Sequence, residues 1–173
     1  VTACPLAGVC PEEAFDVTPY ALTLSQHLMR NALNQSLPRK FKIAFSGCVT
    51  TDCAKTMIHD IGLSAILKDD GTRGFRMVVG GGLGSAPRLA KLFKEFLPVD
   101  ELIPVCEAII KVFDNHGNRK NRTKARMKFV VTKLGIDEFF RQIEVEYAAI
   151  KHTKNGSNEY KLLSYADEPI ASD

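Results

Sequence analysis

Apolar and polar positions divide the chain into short segments of differing period. At 40–46, Phe41, Ile43 and Phe45 alternate with Lys40, Lys42, Ala44 and Ser46, the period of a half-buried strand. Ser64–Lys68 and Gly74–Val79 read as a hairpin turned by Asp69-Asp70-Gly71. Helical spacing appears elsewhere. Thr18-Pro19 opens a helix to about Asn34, with proline tolerated in the first turn. Ala54–Ile61 reads as a short helix stopped by Gly62, and Pro87 opens another to about Phe96. At 101–115, Leu102, Val105, Cys106, Ile109, Val112 and Phe113 share one face, which makes Cys106 a small core residue. Met127, Val130, Val131 and Leu134 form a further stripe up to Gly135, and Phe139, Phe140, Ile143 and Tyr147 line a last helix from Ile136 to about Ile150.

These elements predict an α+β fold, a small mixed or antiparallel sheet packed by several helices. Residues 1–35 form a cysteine-containing loop and helix, 36–150 the α+β domain, and 151–173 a linker or tail. At 173 residues and 45% hydrophobic content the chain suits one domain with a real core. Its 23 basic and 20 acidic residues nearly balance, so global charge gives no reason to expect nucleic acid as a partner. No apolar run approaches the ~20 residues that cross a bilayer, and nothing resembles a signal peptide. The chain opens Val-Thr-Ala-Cys without methionine, which reads as a piece of a longer protein. Five cysteines, an odd number without a secretion signal, favour reduced thiols or metal ligands, and the cytoplasm is the expected compartment.

Four features could carry chemistry. On the strand at 40–46, Lys40 and Lys42 share one side about 7 Å apart, a mutual repulsion that an anion between them would relieve. Ala44 and Ser46 beside them would leave a flat recess. Gly80-Gly81-Gly82-Leu83-Gly84-Ser85 follows a strand, a place where backbone N–H groups can approach an anion. Its spacing matches neither the dinucleotide fingerprint nor a P-loop. Arg119, Lys120, Arg122, Lys124, Arg126 and Lys128 lie in ten residues without an acid, and helical geometry would stack Arg122 on Arg126 and Lys124 on Lys128. Such a patch suits phosphates or carboxylates, and it lacks the interleaved aromatics that would stack RNA bases. Five residues separate Cys4 from Cys10 and four separate Cys48 from Cys53, a pairing able to hold an iron–sulfur cluster and too wide at Cys4/Cys10 for an ordinary zinc site.

Taken together, Leu37-Pro-Arg-Lys-Phe-Lys, Cys48 through Asp52-Cys53, His59-Asp60-Ile61-Gly62, Gly74-Phe75 through Val79-Gly80-Gly81-Gly82-Leu83-Gly84, and Gly117-Asn118-Arg119 through Arg126 and Lys128 resemble the nitrite/sulfite reductase family. These are siroheme and [4Fe–4S] enzymes of six-electron reduction, built from two related halves. The resemblance implies the α+β domain of the first half. It implies that Lys40 and Lys42 face the oxyanion substrate, with Arg39 toward the tetrapyrrole. Gly80, Gly81, Gly82, Asn118, Arg119, Arg122, Arg126 and Lys128 would surround siroheme. In the family the four cluster cysteines follow a five-residue and then a three-residue gap and belong to the second half. Cys4, Cys10, Cys48 and Cys53 nearly reproduce that pattern, either as a relic of duplication or as ligands of a cluster of their own. The implied partners are the second half, an electron donor such as ferredoxin, and a small oxyanion, with no nucleic acid or membrane. The alternatives are a non-catalytic scaffold module and an independent iron–sulfur electron carrier.

Overall fold

The structure is a computed structural model that describes residues 1–153. One sheet carries five strands in chain order: β1 (Thr2–Ala3), β2 (Ile43–Ser46), β3 (Ile61–Leu67), β4 (Arg73–Val79) and β5 (Lys91–Pro98). β1, β2 and β3 run parallel, and β3, β4 and β5 antiparallel, so the sheet is mixed. The helices are α1 (Thr18–Met29), α2 (Leu102–His116), α3 (Met127–Leu134) and α4 (Ile136–Thr153).

The apolar stripes explain this arrangement. Val105, Cys106, Ile109, Val112 and Phe113 of α2 are all buried, as are Phe139 and Ile143 of α4. Tyr20 of α1, Phe15, Phe45 and Phe75 meet at tilted and edge-on angles with ring centroids 5.3–5.5 Å apart. Each fully buried side chain of this size contributes about 1.5–3 kcal/mol, so this single core holds β1, α1 and the sheet together.

Several elements differ from the sequence expectations. Residues 87–96 are not a helix: from Lys91 they form edge strand β5. Its register slips twice, between Phe75/Met77 and between Met77/Val78 on β4, each slip inserting an extra β5 residue. Those bulges break the period of two, which is why Leu92, Phe93, Phe96 and Leu97 mimic a helical stripe. The segment at 54–61 is only a single tight turn over Thr56–Ile58, and β3 begins at Ile61. Asp52 explains this, because its carboxylate accepts both the Thr56 N–H and hydroxyl and fixes the chain before a helix can propagate. α1 ends at Met29, followed by a separate turn over Ala32–Gln35 that Asn31 caps. Residues 1–16 include β1, paired to Ala44 and Phe45.

The regular part of the strand predicted at 40–46 starts at Ile43, and all four of its residues are buried. Ala44 and Ser46 are 0% exposed, so the flat recess expected beside them does not exist. β1 and the N-terminal loop cover that ground: Cys4 N–H donates to the Phe45 carbonyl and Ala14 N–H to that of Gly47. The linker or tail predicted from Lys151 begins within α4, which runs to Thr153, and its remainder lies outside the described residues.

Candidate functional site

Residues 40–42 enter β2 along a path set by Asp60. The Lys42 N–H donates to Asp60 Oδ2 at 2.9 Å, and the Lys42 carbonyl accepts from Ile61 N–H at 3.1 Å. Asp60 is fully buried and takes a second bond on the same oxygen from Arg126 Nη2 at 2.8 Å. Its backbone carbonyl accepts the Gly80 N–H, and that of His59 accepts Gly81 N–H, both at 2.9 Å. Three motifs distant in sequence therefore meet at one acid. Burial raises the Asp60 carboxyl above its ordinary range, against the opposing pull of Arg126 and the Lys42 N–H.

The glycines are required by contact. A Cβ on Gly81 would lie 2.4 Å from the Met57 carbonyl oxygen and 2.7 Å from that of His59, and Gly80 has φ +87°. Beyond them, Gly82 and Arg88 exchange both backbone hydrogen bonds and close a small loop. Lys128 fills its base. It is 3% exposed and its Nζ donates to the Leu83 and Ala86 carbonyls at 2.9 and 2.6 Å. Burial pushes the Lys128 ammonium below its ordinary range, with Arg126 and Arg88 adding to the shift.

The basic segment differs from its expected form. Asn118 Oδ1 accepts the N–H groups of Lys120 and Asn121, and Asn121 Oδ1 those of Thr123 and its hydroxyl. These side chain–backbone bonds make turns where a helix was predicted, and α3 starts only at Met127. The cations consequently do not stack in i,i+4 pairs. Arg126 and Lys128 serve Asp60 and the glycine loop. Arg119 binds Asp114 and the Ser36 carbonyl, while Lys120, Arg122 and Lys124 are exposed. Gly117 packs on Pro38, so this segment lies against the stretch that leads to Arg39 and Lys40.

Arg39, Lys40 and Phe41 line an open cleft of about 420 Å³ with Leu28, Asn34 and Leu37. Lys42 is exposed but does not line that cleft; its backbone is on the side of Asp60 and the glycine bend. The open cleft therefore lies toward α1 and the turn that follows it, and not beside Ala44 and Ser46, where the alternation put a recess.

The cysteines of the two pairs approach one another. Cys53 is raised by desolvation first, then by the charge and hydrogen bond of Cys4, and further by Cys48 and Cys10. The Thr51 N–H holds Cys48 below the ordinary thiol value against its burial, with the Asp52 N–H helping. Glu13 pins the loop carrying Cys10 by accepting the Gly8 N–H, and Thr51 donates to Glu12. Four thiols near one another suit iron–sulfur chemistry by donor type. Among the described residues, however, no three histidine, cysteine or acidic side chains are arranged to hold one metal ion as they stand. Cys106, by contrast, is buried in the core.

With that geometry in view, the sequence profile of the Nitrite and sulphite reductase 4Fe-4S domain matches residues 1–151. The chain belongs to this family. It is 33% identical over 174 residues to a sulfite reductase (ferredoxin) of Mycolicibacterium paratuberculosis, covering 89% of this chain and 31% of that protein. It is 35% identical over 152 residues to an assimilatory ferredoxin-dependent nitrite reductase of Haloferax mediterranei, covering 85% of this chain and 26% of that protein. The solved NirA protein of Mycobacterium tuberculosis superposes with TM-score 0.71 at 31% identity, over 86% of this chain and 27% of that one. The chain therefore spans a quarter to a third of the length of these relatives. A dissimilatory sulfite reductase I shares the fold at TM-score 0.68 and 14% identity. The mixed sheet with packed helices is the fold of this family.

Asp60 is the residue that sequence reasoning passed over. It stood in the His59-Asp60-Ile61-Gly62 motif without a role, and the available signal was an acid placed directly before a buried strand.

Proposed function

We propose that this chain is the first-half α+β domain of a siroheme-dependent sulfite or nitrite reductase and forms a cationic wall beside the cofactor and its oxyanion. The observation that carries this reading is the convergence on Asp60 of the Lys42 backbone, Arg126 and the glycine bend. Lys40, at the rim of the open cleft, and Lys42, on the side of Asp60, would reach one oxyanion from their separate settings and pass protons to its departing oxygen. Arg39, Asn118, Arg119 and Arg122 are the contacts for the peripheral carboxylates of siroheme. Gly80, Gly81 and Gly82 form the bend that would border siroheme, packed closely on the protein behind it, while Arg126 and Lys128, engaged inside the protein, act by shaping that bend. Siroheme would supply the electron-transfer chemistry; the protein's part is orientation and charge. The second half, a ferredoxin-type donor and the small oxyanion complete the assembly, in the cytoplasm.

The test uses the full-length reductase. Lys40→Met and Lys42→Met should each lower turnover about a hundredfold, the scale of lost acid–base assistance, with siroheme absorption unchanged. Undiminished turnover in both variants would remove them from the site.

The approach of Cys4, Cys10 and Cys48 to Cys53 favours a second reading, in which these thiolates hold a [4Fe–4S] cluster of the domain's own that supplies electron relay. Iron and acid-labile sulfide in anaerobically purified domain, lost when Cys53 is changed to Ser, would support it. Their absence would make the four thiols a relic of duplication.

A further inference from the structure

We infer that Asp60 is a positioning residue: its buried carboxylate fixes the entry to β2, and with it Lys42, against Arg126 and the glycine bend. This rests on the reading of Lys42 as an oxyanion-binding residue.

The geometry is specific. One oxygen, Asp60 Oδ2, accepts from Lys42 N–H at 2.9 Å and from Arg126 Nη2 at 2.8 Å, joining segments 18 residues before it and 66 after it. The same residue's carbonyl takes the Gly80 N–H. The next residue's N–H binds the Lys42 carbonyl, so both peptide groups flanking the Lys42 Cα are held by residues 60 and 61. Lys42 cannot shift along or rotate about its strand without breaking two bonds to one rigid pair.

A structural ion pair is the simpler account, and two observations weigh against it. Buried ion pairs seldom stabilise more than an apolar packing of equal volume, because desolvation offsets the attraction. This pair is also imperfect as a stabilising device: Asp60 Oδ1 and Arg126 Nε are buried with no hydrogen-bond partner among the described residues. A pair selected for stability alone would satisfy those atoms. What it provides is a fixed spatial relation. It also pairs the Arg126 charge inside the protein.

The experiment compares Asp60→Ala with Asp60→Asn in the full-length reductase. Alanine removes both bonds, whereas asparagine oxygen can still accept both while the charge is lost. Asp60→Ala is expected to raise KM for sulfite or nitrite about tenfold or more, the scale of a displaced binding group, while siroheme absorption is retained. Hydrogen–deuterium exchange of the peptide containing Lys42 should quicken in Asp60→Ala and change less in Asp60→Asn. An unchanged KM, unaltered Lys42 exchange in Asp60→Ala, or loss of siroheme from both variants would overturn the assignment and leave a merely structural pair. If Asp60→Ala does not fold, Asp60→Glu decides, because its longer arm keeps the charge but moves the accepting oxygen: a raised KM with siroheme retained supports positioning, and an unchanged KM or lost siroheme refutes it. Wild-type enzyme without siroheme or activity on either anion would instead refute the reductase reading, and the exchange comparison would still score Asp60.

Discussion

Lys40 and Lys42 illustrate how a side chain's surroundings escape a period-two pattern. Alternation placed both on one side of a strand, but regular pairing begins at Ile43, and the residues before it follow the demands of Asp60 and Pro38. Their identity as adjacent exposed cations was legible in the sequence; their separate settings were not, because a buried acid 18 residues away sets them. Glycine roles were more legible, since Gly81 has no room for a side chain. Gly81→Ala should therefore destabilise the domain by about 1–3 kcal/mol, the usual cost of overpacking against backbone that cannot retreat. Urea denaturation checks this, and an unshifted midpoint would mean that Met57 and His59 can move aside.

At the level of elements, the glycine loop hangs on one cation. Lys128→Met removes two hydrogen bonds and strands the Leu83 and Ala86 carbonyls over an apolar chain, a loss of about 1–3 kcal/mol. The measurable sign is faster proteolysis within 83–89, with α2 and α4 protected as before. α4 offers a pH test. Arg141, with Gln142, holds the Glu138 carboxyl down to about 2 from its ordinary 4.5. Because the folded value is depressed, this contact contributes fully above pH 4.5 and is lost as pH falls toward 2. Arg141→Ala should lower thermal stability at pH 6 and matter progressively less toward pH 2; an equal loss at both would refute the linkage. Helices α2, α3 and α4 were readable because their apolar stripes keep a period near 3.6. β5 was not, since its two bulges erase the alternation that marks a strand, and the basic segment was not, since Asn118 and Asn121 satisfy its backbone locally.

For the molecule as a whole, one core unites the N-terminal loop, the sheet and the helices, and it delivers the glycine bend, the basic segment and the lysine stretch to neighbouring positions. Ordered motifs made this assembly legible from sequence, while the acid that joins them shows only in three dimensions. Among the described residues no helix is long and apolar enough to cross a membrane. The chain spans 31% and 26% of its sulfite and nitrite reductase relatives, and the proposed wall would face the remainder. The most direct test is a crystal structure of the intact reductase with siroheme and bound sulfite or nitrite. The account predicts the Lys40 and Lys42 ammonium groups on the oxyanion's side of the macrocycle, within about 2.7–3.2 Å of its oxygens. Both ammonium groups turned to bulk solvent, with the oxyanion held by other residues, would contradict it.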